Sequence, residues 1–525
     1  MSFAVPRPSA FDSRRASSRR SDRAVVAAGA LIAAGLLAPL VLIGIDAGNA
    51  GWAEIHRVLF RQRSVVLLWH TVALSALVAV LAATIGTAAA WATERTPLRG
   101  RRIWTVLIVL PVAIPDFVVG YSWHSFAPRL NSLAAATLVM TFGTYPLVYL
   151  PVAAALRRAD PAMEDTAHSL GASRIATFRR VTLPLIRTAL LGGCVVVVLT
   201  VMSEYGAFEI LRFQTFTTEI FTEFQFDPAA AGSLSIPLVF LGLLVLCGDA
   251  LFPRRGQPRV APRRPTVRTR ERWKSVSTHA SLLGLVALAV GIPLGTLAYW
   301  MLQSHSTTLP AAATIGGATL TTLKYSALGA GSAVLLAIPV AMMTFRRTTA
   351  PRIALEKATY VTQALPGVVI ALSLVYFATH YVFGLYQTSV LLVAAYAILH
   401  FPLALVCVKT SVAQAPARLT DVGRSLGRGP VSVFVRVTLP LLAPGLLAGF
   451  CLVFLTAVTE LTATLVLAPI GVQTLATQFW AFQREAAYGA AAPYALVMIG
   501  LAMIPGALLG LWFDRERFTQ ASSER

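Results

Sequence analysis

Residues 165–184 read DTAHSLGASRIATFRRVTLP and residues 421–440 read DVGRSLGRGPVSVFVRVTLP. The two stretches align at an offset of 256 residues, with an acid at the first position, a glycine six residues later and the same Val-Thr-Leu-Pro ending. A match of this length at fixed spacing indicates an internal repeat. Each copy predicts a short amphipathic helix ended by a left-handed glycine, then a second short helix that ends at the proline, where a membrane span starts.

Further matches extend the repeat over the chain. At an offset of 251, Ile114-Pro115 falls on Leu365-Pro366, and at 256, Tyr145-Pro146-Leu147 falls on Phe401-Pro402-Leu403. Two such halves that run in the same direction imply a pseudo-twofold axis along the membrane normal and a pathway between them.

The composition is that of a membrane protein. Of 525 residues, 56% are hydrophobic and only 13% are charged, which leaves no room for a large soluble catalytic domain. We therefore predict an all-α polytopic membrane protein with about twelve transmembrane helices as two parallel six-helix repeats. The apolar runs place the spans near 24–45, 65–93, 103–123, 132–156, 185–204, 233–252, 279–302, 319–345, 358–380, 389–408, 441–465 and 490–513.

The basic residues predict the topology. The net charge is +21, and with both termini in the cytoplasm 37 of the 44 Lys and Arg fall in cytoplasmic segments, as the positive-inside rule requires. This distribution favours membrane loops over a nucleic-acid surface. The remaining seven are Arg57, Arg61, Arg63, Arg129, Arg212, Lys324 and Arg484.

The repeat and a basic segment between its copies divide the chain into two halves and a linker. Residues 1–252 form the N-terminal half, with the large loop 157–184, and residues 277–525 form the C-terminal half, with the loop 411–440. Residues 253–276 are rich in Arg and Pro and predict a cytoplasmic linker held near anionic lipid headgroups.

Catalytic and metal-binding motifs are missing from the sequence. None of the four lysines belongs to a G-x-x-x-x-G-K-[ST] phosphate loop, so we expect a transporter subunit that does not hydrolyse ATP itself. The four cysteines lie far apart in apolar runs, and no metal-ligand set is predicted.

The two matched loops resemble the EAA loop of ATP-binding-cassette (ABC) importer permeases, although the acid is Asp and the Ala-Ala pair becomes Thr-Ala or Val-Gly. The resemblance implies the type I ABC importer permease fold in a bacterial inner membrane. It also implies that residues 163–184 and 419–440 dock into two copies of a cytoplasmic ABC ATPase, which would bind ATP and Mg, so that no cofactor is expected in this chain. An extracytoplasmic solute-binding protein would deliver the substrate. The implied coupling residues are Glu164, Asp165, Ala167, Gly171, Leu183, Pro184, Asp421, Gly423, Gly427, Leu439 and Pro440.

The segments that follow the fifth and eleventh spans, 204–220 and 459–477, resemble those of ferric-iron permeases in the same superfamily. Relatives for thiamine, phosphonate and polyamines share the architecture, so these substrates remain alternatives to iron. A less favoured alternative is an ion-coupled secondary transporter, which also has two six-span halves but needs no matched docking loop.

Four residues are candidates for the translocation pathway. Glu204 and Glu460 lie twenty residues beyond each loop proline, about 30 Å along a helix, which predicts the outer end of their spans. They are either pathway acids that accept a hard cation such as Fe(III) or interfacial acids that face water or cap the next short helix. Tyr205 follows Glu204, and Asp116 is an acid within the third span, where charge is costly unless it faces a cavity or a partner. Tyr121, Trp123 and Trp480 are expected to be interfacial aromatics.

Overall fold

The computed structural model describes residues 10–96, 98–129, 131–251, 272–304, 309–346, 349–414, 419, 422, 423, 426 and 428–523. Within these residues the chain consists of helices and their connecting turns, without a strand. Ten helices in this part of the chain are long and apolar enough to cross a membrane, and two bent helix pairs bring the number to twelve if each pair is one span. The predicted all-α fold with about twelve spans is confirmed.

The spans are numbered here in chain order. Spans 1 to 6 are Ala24–Ala50, Gln62–Arg95, the pair Arg101–Ala113 and Asp116–Phe126, Leu133–Arg158, Arg174–Ser203 and Pro228–Gly248. Spans 7 to 12 are Val276–Gln303, Ala312–Thr344, the pair Ala350–Ala364 and Gly367–Tyr381, Ser389–Ala413, Val431–Val458 and Tyr488–Gly506. Short helices lie between spans at Trp52–Leu59, Ala162–Ser169, Gly206–Ile210, Phe216–Phe226, Thr462–Leu467 and Leu475–Arg484. Most of the linker predicted at 253–276, residues 253–271, lies outside the described residues.

Spans 3 and 9 are sharply bent, where the sequence predicted straight crossings. The two helices of span 3 meet at 93° and those of span 9 at 104°. Each bend falls at a residue before proline: Ile114 has φ −95° and ψ 117°, and Leu365 has φ −92° and ψ 116°. Proline excludes the helical conformation from the residue that precedes it, so the chain turns at this point in both halves.

The repeat is visible in side-chain packing within each half. Spans 4 and 5 approach closely because span 5 carries Gly193, where a Cβ would lie 2.9 Å from Val148 Cα. At 256 residues further on, Gly449 of span 11 packs on span 10, with its Cβ position 3.3 Å from Cys407 Cβ. Small residues at equivalent contacts let membrane helices pack closely in both halves.

The first span of each half packs on the opposite half. Gly29 of span 1 lies against Met343 of span 8, and Asn49 Nδ2 donates to the Tyr376 hydroxyl of span 9 at 2.7 Å. In return, Trp300 Nε1 of span 7 donates to Ser125 Oγ of span 3 at 2.7 Å. The two halves are therefore interlocked through spans 1 and 7.

Spans 5 and 11 continue through their prolines, which corrects the predicted second short helix that ends at Pro184 or Pro440. A π-helical turn, Phe178–Thr182, precedes Leu183, whose N–H donates to Phe178 O five residues back. The same turn occurs at Phe434–Thr438, before Leu439. Proline lacks the N–H of the regular helical bond, and a local π turn lets the helix absorb that loss without ending.

Candidate functional site

The first large loop forms the predicted helix and glycine stop. The helix Ala162–Ser169 is followed by Leu170 at its C-cap and then by Gly171, which has φ +83°. Gly171 N–H donates to His168 O, and Ala172 N–H donates to Ala167 O, both at 3.0 Å. This pair of bonds is the Schellman motif, and it favours glycine because a Cβ is strained at positive φ. The predicted left-handed glycine at the end of this helix is confirmed, and Ala167 supplies one of the carbonyls, while the coupling role of both residues stays a prediction.

The buried acid of this loop is Glu164, one residue before the acid that aligns between the repeats. Glu164 is 2% exposed, and its Oε1 lies 3.1 Å from Arg95 Nε at the end of span 2. Thr182 Oγ1 also donates to this oxygen, at 3.3 Å. Asp165 is exposed. Glu164 therefore ties the loop helix both to span 2 and to the π turn of span 5.

Both loops present apolar side chains at matched positions. Leu170 is 82% exposed and Leu426, 256 residues later, is 77% exposed. The pairs Met163 with Leu419 and Ile175 with Val431 are also exposed at this offset. In the second loop Gly423 packs against Val433, whereas the predicted coupling residues Asp421 and Gly427 lie outside the described residues. Leu183 and Leu439 are half-buried, and Pro184 and Pro440 are exposed within their continuous helices.

The three candidate acids each follow a helix break. Asp116 begins the second helix of span 3 directly after the bend. Glu204 follows the last residue of span 5, and its Oε1 accepts from Ala207 N at 2.8 Å. Glu460 repeats this contact with Ala463 N at 2.9 Å. Glu204 and Glu460 thus cap the next short helices, one of the two alternatives for these acids, and all three carboxylates are only half-buried.

The structure brings the segments that carry these three acids together. A Cβ on Gly206, two residues after Glu204, would lie 2.7 Å from Cβ of Phe117, the neighbour of Asp116, and 2.9 Å from Cδ2 of Leu461, the neighbour of Glu460. Ser203 Oγ, next to Glu204, accepts from Gly367 N of span 9 at 3.2 Å. The acids converge because the bend in span 3 places Asp116 beside the end of span 5. Among the described residues, no group of three His, Cys, Asp or Glu side chains has the arrangement of a metal site.

Aromatic side chains join the two halves next to the acids. Tyr205 stacks on Phe221 at 4.2 Å between ring centroids and contacts Trp480 of the second half at 5.5 Å. Phe479 of the second half contacts Tyr121 at 5.4 Å. Tyr121, Trp123 and Trp480 are all buried within the protein. Tyr121 packs against the short helix Leu475–Arg484, which also carries Trp480, whereas Trp123 stacks on Phe142 of span 4.

An ion-pair network in the first half was missed from the sequence. Glu219, on the short helix Phe216–Phe226, is 4% exposed and pairs with Arg61 at 3.0 Å and Arg63 at 2.6 Å. Glu223, one helical turn later, pairs with Arg61 at 2.9 Å. The sequence held the signal as two glutamates at i and i+4, together with two of the seven basic residues that lie outside the predicted cytoplasmic segments.

Comparison with known proteins gives two matches to one family model and full-length relatives. The model described as "Binding-protein-dependent transport system inner membrane component" matches residues 82–255 and 333–515, which leaves out spans 1 and 7 and confirms the repeat. The Fe(3+)-transport system permease protein FbpB 2 of Haemophilus influenzae is 34% identical over 91% of this chain and 96% of its own length.

More distant relatives extend this set. The ferric transport system permease protein FbpB of Actinobacillus pleuropneumoniae is 22% identical over 86% of this chain and 71% of its own. The sulfate transport system permease protein CysT of Salmonella typhimurium is 27% identical over 40% of this chain and 84% of its own. Since the family model covers most of the sequence in two copies and one relative matches almost end to end, the chain belongs to the family of binding-protein-dependent transport system inner membrane components, the permeases of ABC importers.

Proposed function

We propose that this chain forms the translocation pathway of a ferric-iron importer. The observation that carries the proposal is the convergence of the segments that hold Asp116, Glu204 and Glu460, contributed by both halves, where Gly206 packs between Phe117 and Leu461. In the described part of the chain, no Lys or Arg lies within ion-pair distance of these three acids. Fe(III) is a hard cation that prefers oxygen ligands, whereas an anionic substrate would be repelled by these carboxylates.

The arrangement of the acids suits passage better than storage. Glu204 and Glu460 each keep one oxygen on a backbone N–H, and the carboxylates are not grouped as a chelating site. A cation that reaches these carboxylates must compete with the backbone N–H groups for their oxygens. This competition keeps the binding of the cation weak enough for its release. The pathway thus lowers the electrostatic barrier to a trivalent ion without trapping it.

The energy comes from a separate ABC ATPase that binds ATP and Mg and docks, as two copies, on the two large loops. The exposed apolar pairs, such as Leu170 with Leu426, supply equivalent surfaces for two identical subunits. Span 5 then connects the first loop to the acids as one helix of 30 residues, about 45 Å long. A displacement of the loop is transmitted along this helix to Glu204 at its far end.

In this cycle the two halves alternate between outward-open and inward-open arrangements around a fixed pathway. An extracytoplasmic solute-binding protein delivers iron to the outer side, where the Tyr205–Trp480 contact must separate to admit it. Both termini and both docking loops face the cytoplasm, consistent with the distribution of Lys and Arg.

Reconstitution tests the proposal. The permease is purified from its native membrane in mild detergent with the proteins that accompany it, and these are identified by mass spectrometry. We expect an ATPase with a phosphate-binding loop at two copies per permease, and a solute-binding protein. In proteoliposomes, Fe(III) loaded on that protein should enter only with internal or external ATP, according to orientation. Uptake of thiamine, a phosphonate or a polyamine instead of iron, or uptake driven by an ion gradient without the ATPase, would contradict the proposal.

A further inference from the structure

The halves differ at one contact between a bent span and its neighbour. In the first half, Asp116 of span 3 lies over Gly143 of span 4: a Cβ at Gly143 would be 2.3 Å from Asp116 Oδ1. The equivalent residues in the second half, at offsets of 251 and 256, are Gly367 and Leu399. There a Cβ at Gly367 would lie 3.3 Å from Glu460 Oε1 and 3.7 Å from Leu399 Cδ2. The glycine and the larger side chain of the two spans have exchanged places, and in the second half the nearest side-chain atom is the carboxylate oxygen of Glu460.

This exchange keeps the space between the bent span and its neighbouring span filled in both halves. Gly143 and Gly367 are both buried, and Gly143 supplies room for Asp116, while the space at Gly367 is bordered by Glu460 and by Leu399 of the adjoining span. An oxygen and a carbon cannot approach to 2.3 Å, and therefore any side chain at position 143 must displace the Asp116 carboxylate. The atom that must move is the end of a side chain, not backbone, so a small substitution moves the carboxylate and leaves the helices in place.

We propose that Gly143 is the positioning residue for the Asp116 carboxylate, and that this acid–glycine pair gives the first half a second pathway acid that the Gly367–Leu399 pair denies to the second half. The inference rests on the proposed function for the role of Asp116. It makes the pathway asymmetric: Asp116 and Glu204 come from one half and Glu460 alone from the other.

Exchange of the pairs tests the inference. Gly143→Leu alone should lower the yield and thermal stability of the detergent-purified complex, because leucine and Asp116 compete for one space. The double variant Asp116→Gly with Gly143→Leu copies the second half and should recover the stability, but not the uptake of Fe(III) loaded on the solute-binding protein. Gly143→Ala should keep the complex folded and reduce uptake by about tenfold. Gly192→Ala is the matched control, since its Cβ position has nothing within 4 Å.

A fourfold variant separates positioning from general damage. Adding Gly367→Asp and Leu399→Gly to the double variant rebuilds the acid–glycine pair on the opposite side of the pseudo-twofold axis, beside Glu460. We expect Fe(III) uptake to return at least in part, while a variant that carries Leu399→Gly without the new acid stays inactive.

The outcomes distinguish the two proposals. If the double variant is no more stable than Gly143→Leu, the exchanged packing is wrong, whatever the cargo. If the double variant is stable and carries Fe(III) at the wild-type rate, Gly143 positions nothing that transport needs and the inference is overturned. If the wild type transports another solute while the stability pattern holds and the uptake of that solute follows the same variants, the positioning stands and the iron assignment alone fails.

Discussion

Replacing Glu164 by alanine should detach the first docking loop from span 2. The carboxylate is 2% exposed and Arg95 is 7% exposed, with 3.1 Å between Oε1 and Nε, so the substitution removes one partner of a buried ion pair. Removal of one partner of a buried ion pair costs about 3–5 kcal/mol. Arg95 keeps its bond to Ala159 O at 3.3 Å, which places the cost near the lower figure. About 3 kcal/mol corresponds to roughly a hundredfold increase in the open population of the loop.

Hydrogen exchange followed by mass spectrometry on residues 162–182 measures this change directly in the intact permease. Asp165→Ala is the control, because this neighbouring acid is exposed and its loss should change exchange little. The double substitution Arg95→Met with Glu164→Met should restore protection, since two apolar side chains leave no unpaired charge. Equal exchange in the Glu164→Ala and Asp165→Ala variants would show that the buried pair does not hold the loop.

Three further substitutions have defined outcomes. Gly171→Ala places a Cβ at φ +83° and should destabilise the loop helix by about 1 kcal/mol, seen as faster exchange at its C-terminal end. Leu170→Asp should reduce the ATPase that co-purifies by about tenfold or more, because a leucine buried on docking contributes about 2 kcal/mol, while Leu170→Met should retain it. Glu219→Gln removes the acid shared by Arg61 and Arg63, which are partly exposed; we expect a loss of about 1 kcal/mol, measured as a lower melting temperature whose difference from wild type shrinks at high salt.

The helical fold was predictable because transmembrane helices require long apolar runs, and these runs can be read directly from the sequence. The bends in spans 3 and 9 were not predicted, although Ile114-Pro115 and Leu365-Pro366 were recognised as a repeated pair. Hydropathy averages over a window and carries no direction, so it reports one span where the chain makes two short helices. The proline effect on the preceding residue was the signal that could have located the turn.

The central acids show why the site was only partly predictable. Their identity followed from the rarity of charge in apolar segments, which singled out Asp116, Glu204 and Glu460. The positions of Glu204 and Glu460 along their spans were predicted from a fixed rise per residue, which does not say how far either acid lies from Asp116. Convergence depends on a 93° bend and on packing between spans that are distant in sequence. Periodicity and spacing describe one helix at a time and contain no such information.

The placement of the breaks accounts for how a permease without chemistry of its own can be driven from one side. Spans 5 and 11 stay helical through Pro184 and Pro440, so the docking loops have unbroken connections to Glu204 and Glu460. Spans 3 and 9, by contrast, break beside those acids. In each half, a continuous helix that can transmit the movement of a loop (span 5 or 11) therefore meets a bent span that can give way to it (span 3 or 9). Under the proposed function, movement of the loops acts at these acids, and the Asp116–Gly143 contact, which has Gly367 in place of the acid in the second half, makes that point different in the two halves.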